Sequence, residues 1–441
     1  LTFKIENMAL QQKIKRQAVV VIHGMGEQRP METLRSFVSG VKAVLEQTDP
    51  DEKRSTVRSK PDSIGDIYET MRLSMDSTRK RPITDFYEFY WAHNMRDTKF
   101  SEMWTWIFRL VFISVTKVPP RLKKLWWTIW IMFLLVMAVV IFLSSKDNLS
   151  TLKRVLAPVI TLFAFPFLLS AVGSFAKSVF LNSAGDAARY FTPEPDNIAE
   201  RSRIRQQGIL FLKKLHTIIS MEKVDRIIVV AHSLGSVVAY DLMRLLWTEY
   251  NTVYKPQLVV KQPFLEQLDK FKLDEHNLEE FRALQFATWD EQKANGNPWL
   301  ISDFVTLGAA INAADFFMVT KENFEKLIQQ REMPVCPPAK DENDNSMIYN
   351  CWPPFEIEGQ KRTIKLLNHG ALFAVTRWTN IYYSCDYVGG RMQRKFRNGI
   401  KDIAIPRRSP WFYPGGHTDY WNLDDPQNAI KEIIAAMALQ N

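Results

Sequence analysis

The run Ile227-Ile228-Val229-Val230 constrains this chain more than any other stretch. It is continuous, apolar and β-branched, which reads as a short strand buried on both faces. It breaks at Ala231-His232-Ser233-Leu234-Gly235, and Val237 to Leu246 then reads as a helix. A strand that turns into a helix over so few residues needs small side chains around the turn, because the two backbones meet there. Ala231 and Gly235 supply them, and Ser233 is left at the apex as a candidate nucleophile.

A second strand and loop lie near the N-terminus. Ala18-Val19-Val20-Val21-Ile22 reads as a buried strand and runs directly into His23-Gly24-Met25-Gly26. Glycines after such a strand let backbone N–H groups turn toward a bound oxyanion. The two motifs together resemble the α/β-hydrolase family, in particular its lipases and esterases. The resemblance covers most of the chain outside about residues 96–185, and Ala231 departs from it by standing where a glycine is usual. It implies an α/β fold, with a mostly parallel sheet flanked by helices. It also implies an oxyanion hole formed by the N–H groups of Met25 and Leu234, and a chain order of serine, acid, then histidine.

That order limits the candidates. Of seven histidines, His276, His369 and His417 follow Ser233. His417 sits in the glycine-bearing segment Pro414-Gly415-Gly416-His417 shortly before the C-terminal helix, where the family carries its base; His369 is the runner-up. His276 lies in the charged, helix-like stretch Asp274 to Glu280. The expected acid is Asp386, which follows the aromatic and β-branched strand Trp378 to Tyr383. Asp303 begins a strand rather than ending one, Asp315 is a weaker rival, and Asp419 is too close in sequence to His417. A serine hydroxyl is a poor nucleophile until a neighbouring base takes its proton. The expected chemistry is therefore acyl transfer through Ser233, His417 and Asp386, which requires no metal or organic cofactor.

The flanking regions suggest where this chemistry takes place. Leu125 to Leu143 and Val155 to Ala176 carry no charge, and each is about the length that crosses a hydrocarbon core. They are expected to form a transmembrane hairpin, with Met103 to Val115 as an interfacial helix. Lys117, Arg121, Lys123 and Lys124 before the first run, and Lys177 after the second, outweigh Lys146, Lys153 and Arg154 in the loop between them. Positive flanks favour the cytoplasmic side for both ends. The expected organisation is a first core part over 1–95, a membrane insertion over 96–185 and a second core part over 186–441. Residues 66–73 and 83–90 are expected as strands, 186–219 as helical, 256–298 as a cap-like insertion and 334–354 as a long loop.

The overall composition, 46% hydrophobic and 24% charged, is that of a globular protein. Cys336, Cys351 and Cys385 are too few for a disulfide framework and fit a reducing compartment. The net charge of +9 carries no nucleic-acid motif with it. Arg391, Arg394, Lys395 and Arg397 lie in a basic stretch between the expected acid and base, suited to anionic lipid headgroups. The expected function is a membrane-anchored serine hydrolase cleaving carboxylic esters of lipids. Two alternatives are an acyltransferase using the same residues and a non-catalytic membrane scaffold.

Overall fold

The structure is a computed structural model. It describes residues 14–24, 29–94 except 63 and 66–68, 195–254 except 219–221, 262–313, 321–407 except 351–354, 358–359, 363–364 and 387, and 415–440 except 425–428. Between 95 and 194 it describes residues 115 and 190 and the helical positions 123, 126, 127, 130, 131, 134, 135 and 138. The expected interfacial helix, apart from residue 115, the second apolar run and the hairpin loop lie outside the described residues.

The strands are β1 (Arg16–Ile22), β2 (Val57–Pro61), β3 (Met71–Met75), β4 (Ile83–Glu88), β5 (Arg226–His232), β6 (Ile301–Leu307), β7 (Ile348–Asn350), β8 (Phe355–Ile357), β9 (Gln360–Arg362), β10 (Lys365–Leu367), β11 (Arg377–Tyr383) and β12 (Lys401–Ile405). The helices are α1 (Glu32–Thr48), α2 (Pro195–His216), α3 (Gly235–Val253), α4 (Pro263–Lys270), α5 (Leu278–Ala294), α6 (Lys321–Gln329), α7 (Gln393–Phe396), α8 (Gly415–Thr418) and α9 (Ala429–Met437). Eight strands form one sheet in the order β12-β11-β6-β5-β1-β4-β3-β2. The pairings from β4 through β1, β5, β6 and β11 to β12 are parallel, while β3 and β2 add an antiparallel edge. The molecule is thus an α/β protein with a mostly parallel sheet and flanking helices.

The continuous apolar runs become the centre of the sheet because both of its faces are covered. In β5 every residue is buried, and alternate side chains enter different cores. Ile227, Val229 and Ala231 pack with α2 and α3 through Leu212, Val238 and Leu242. Ile228 and Val230 pack with α1 and α9 through Phe37, Val41 and Ile430. The α1 residues that enter this core, Leu34, Phe37, Val38, Val41, Val44 and Leu45, follow helical spacing.

This two-sided packing positions the site. β1 and β5 are neighbours, but β1 leads to α1 on one face and β5 leads to α3 on the other. This change of side between neighbouring strands is the topological switch point beside which open α/β sheets place their ligands.

Several local expectations are corrected. The early antiparallel strand is Met71–Met75 rather than 66–73, and residues 66–68 lie outside the described residues. Within 334–354, expected as a loop, Ile348–Asn350 pairs with β10. Residues 256–298 supply α4 and α5, and α5 is a flanking helix. Its buried Arg282 donates to the Trp378 carbonyl in β11, and Gln285 donates to the Phe373 carbonyl. The helix expected from Asp274 begins at Leu278, because the Asp274 carboxylate accepts the His276 and Asn277 N–H groups and turns the chain there.

Candidate active site

Ser233 stands between the end of β5 and the start of α3, with φ of 52°. That left-handed conformation is costly for a residue other than glycine, so the surroundings must hold it. They do so through the Ser233 backbone. Its N–H donates to the Leu307 carbonyl at the end of β6 (3.0 Å). Its carbonyl accepts from Ser236 N–H (3.0 Å), Ala310 N–H (3.2 Å) and Ser236 Oγ (2.6 Å).

The sequence around the turn is explained by space. A Cβ on Gly235 would lie 2.3 Å from the His23 carbonyl oxygen and 2.4 Å from that of Ile22. A Cβ on Gly24 would lie 2.8 Å from the Ser233 Cβ. The β1 loop and the β5 turn therefore pack backbone to backbone. Ala231, the departure from the usual glycine, is fully buried in β5 with its methyl group in the core.

Residues distant in sequence converge on Ser233. His417, on α8, places Nε2 2.8 Å from Ser233 Oγ. Its Nδ1 lies 3.0 Å and 3.2 Å from the two Asp386 carboxylate oxygens. Ser233, His417 and Asp386 are 2%, 4% and 2% exposed, so the whole relay is shielded. Asp386 Oδ1 accepts the N–H groups of Val388 (2.8 Å) and Gly389 (3.0 Å), and Oδ2 accepts the Tyr420 hydroxyl (2.6 Å). Burial alone would raise the Asp386 pKa; the facing His417 and these donors outweigh it and hold the carboxyl below its ordinary range. An ionised acid facing Nδ1 favours the tautomer with the proton on Nδ1 and a basic Nε2 toward the serine.

Of the expected oxyanion donors, Leu234 is buried at the N-terminal cap of α3. Amides at a helix start lack partners in a preceding turn and carry the positive end of the helix dipole. Met25 lies outside the described residues, but Gly24 before it lies against Ser233.

The rival residues are elsewhere. His369 borders a polar cavity of about 450 Å³ shared with Asn251 and Arg331. Asn251 belongs to the last turns of α3, roughly 24 Å along the helix from Gly235. His276 is exposed ahead of α5. Asp303 is buried toward the amino ends of the strands, paired with Arg226 (2.6 Å) and Arg377 (2.8 Å). Asp419 pairs with Arg407 (3.0 Å), and Asp315 lies outside the described residues. In the basic stretch, Arg391, Arg394 and Arg397 are exposed, while Lys395 is partly buried and donates to the Asn312 carbonyl.

Sequence reasoning missed four contributors. Gly308, with φ of 52°, faces the acid and base: a Cβ there would lie 2.6 Å from Asp386 Oδ2 and 3.1 Å from His417 Nδ1. Gly389 closes the other side, where a Cβ would lie 2.8 Å from the same carboxylate oxygen. His232 Nε2 donates to the His417 carbonyl (2.7 Å), and burial lowers the His232 pKa to about 3, so this ring stays neutral. Tyr420 reaches back from the segment after α8 to the acid. Gly308 directly follows the apolar strand Phe304 to Leu307, which is the one signal in the sequence that could have drawn attention to it.

No metal-binding cluster of histidine, cysteine and carboxylate residues occurs among the described residues. Among the described residues, no helix is long and apolar enough to cross a membrane. The described positions between 123 and 138 are helical. Trp127, Ile131, Leu134 and Leu135 are exposed among them. No protein-family model, curated protein or solved structure matches the chain.

Proposed function

We propose that this chain is a membrane-anchored serine hydrolase of the α/β-hydrolase type that cleaves carboxylic esters, with lipid esters as its substrates. The observation that carries the reading is the unbroken relay from Ser233 Oγ through His417 to Asp386, with hydrogen-bond distances of 2.8 Å and 3.0 Å. Its setting at the carboxyl end of β5, where β1 and β5 lead to helices on opposite faces, supports the same reading.

In this reaction Ser233 Oγ attacks the acyl carbon while His417 Nε2 takes its proton. The Leu234 N–H, joined by that of Met25, stabilises the oxyanion of the tetrahedral intermediate. The intermediate collapses to the acyl-enzyme as the departing alkoxide takes the proton from His417. A water molecule then attacks the acyl carbon, giving its proton to His417, and the acid leaves as Ser233 is restored. Asp386 holds the imidazole in register and stabilises its charged form throughout.

The preference for lipid esters rests on location. The uncharged run 125–143 is long enough to span a bilayer, and its exposed Trp127, Ile131, Leu134 and Leu135 form a surface suited to acyl chains. The exposed Arg391, Arg394 and Arg397 follow the acid loop and suit anionic headgroups. We place the catalytic part on the cytoplasmic side, following the basic flanks of the apolar runs.

The test is ester hydrolysis by the detergent-solubilised full chain, first on p-nitrophenyl butyrate and then on phospholipid and acylglycerol vesicles. Release of acid that is lost in Ser233→Ala supports the reading. Turnover that is unchanged in Ser233→Ala, or absent from folded wild type on both substrate types, overturns it.

A further inference from the structure

We propose that Tyr420 is a positioning residue for the base, acting through Asp386, and that its hydroxyl sets the pH at which His417 works. The inference rests on the reading of Ser233, His417 and Asp386 as a catalytic relay.

The segment that carries the base also carries its own brace. Tyr420 follows His417 by three residues, and its ring is fully buried between β11 and the relay, 4.8 Å from the Tyr383 ring and 5.7 Å from that of His232. Its oxygen accepts the Tyr383 N–H (3.2 Å), which fixes the direction of its own proton. That proton points to Asp386 Oδ2 at 2.6 Å, the short distance of a hydroxyl donating to a carboxylate. A single side chain therefore joins the end of β11, the acid and the segment that bears the base.

The two carboxylate oxygens are held differently. Oδ1 is fixed by the Val388 and Gly389 N–H groups, which belong to its own loop. Oδ2 receives the Tyr420 hydroxyl, and Gly308 and Gly389 close tightly around it. The Tyr420 donor consequently decides how the carboxylate plane is turned toward His417 Nδ1. It also draws negative charge from the carboxylate, which weakens the support Asp386 gives to a protonated imidazole. His232 tethers the other side of the base by donating to its backbone carbonyl. The His417 ring is thus placed from its backbone by His232 and from its acid by Tyr420.

The consequence is specific. With the hydroxyl removed, the carboxylate becomes more basic and freer to rotate. His417 then binds its proton more tightly, so the base becomes active only at higher pH, while its poorer aim slows the step at every pH.

The test measures the rate of labelling of Ser233 by a fluorophosphonate against pH, in detergent-solubilised wild type and Tyr420→Phe, with thermal melts of both. The expected result is a plateau rate lower by about tenfold and an apparent pKa moved upward by roughly half a unit or more, with the fold retained. A lower plateau with an unmoved pKa, or a variant unfolded at the assay temperature, assigns Tyr420 to packing alone and overturns the inference. A wild type that does not label removes the relay reading and this role together. A wild type that labels, beside a variant that labels identically, removes only this role.

Discussion

Gly235 and His23 meet with no room for a side chain between them: a Cβ on Gly235 would stand 2.3 Å from the His23 carbonyl oxygen. The relationship ties the loop after β1 to the start of α3, two segments more than two hundred residues apart. It makes the serine turn and the residues that follow β1 one packed unit.

Gly235→Ala should therefore be damaging, although alanine normally favours a helix. The obstructing atoms are backbone oxygens, which cannot swing aside. We expect a loss of about 3 kcal/mol or more, seen as a large fall in melting temperature or a failure to accumulate folded protein. Gly296→Ala is the control for adding a side chain at a glycine, since nothing lies within 4 Å of a Cβ there; its φ of +87° limits the expected cost to local strain of about 1 kcal/mol.

Asp386→Asn should leave the fold intact while removing most of the activity. The Val388 and Gly389 N–H groups can still donate to an amide oxygen, but the amide no longer stabilises a protonated His417. The expected fall in kcat is on the order of a thousandfold to ten-thousandfold, read by ester hydrolysis with melting temperature as the control.

Glu88 gives a pH dependence of known sign. It ends β4, is 2% exposed, and accepts the Met31 N–H at the start of α1. Burial, the main cause, pushes its pKa up to about 7 from an ordinary 4.5, against the smaller opposing effect of the Met31 N–H. A raised carboxyl is protonated in the folded chain while the unfolded chain ionises. Its contribution is thus fully present below about 4.5 and is lost as pH rises toward 7. Glu88→Gln keeps an acceptor for Met31 and removes the ionisation. Denaturant titrations should find it similar to wild type at pH 4.5 and more stable at pH 8, by roughly 1–3 kcal/mol. Equal offsets at both pH values would refute the assignment.

His232→Leu should slow the reaction without weakening substrate binding. It removes the donor to the His417 carbonyl, while the buried site still accepts an apolar side chain. We expect kcat to fall by about tenfold with KM nearly unchanged, from steady-state rates on one ester.

The sequence reading reached the parts of the site that rest on local pattern. The β-branched runs at Val19 and Ile228 announced buried strands, and the glycine at 235 announced a close approach of backbone, which the structure displays against the residues that follow β1. Asp386 and His417 were reachable because chain order left few alternatives. Tyr420, Gly308 and His232 were not, since each acts on a partner whose position only the folded sheet defines. Asp303 illustrates the opposite case. As a buried carboxylate it resembles a site residue, yet its partners Arg226 and Arg377 tie the far ends of β5 and β11 to β6. Arg226 also donates to the Met437 and Ala438 carbonyls at the end of α9, which makes this cluster an anchor for the C-terminal helix. The edge strand β2 was not anticipated, because it is polar and exposed and so lacks the apolar run on which the strand reading depended; its partner β3 was placed a few residues early.

The central claim is that Ser233 is activated by His417. The most direct measurement is fluorophosphonate labelling of the solubilised full chain, with the modified peptide identified by mass spectrometry, in wild type, Ser233→Ala and His417→Ala. The account predicts one adduct, on Ser233, abolished in the first variant and reduced to background in the second. A folded wild type that takes no label, an adduct on a different residue, or undiminished labelling in His417→Ala would contradict it.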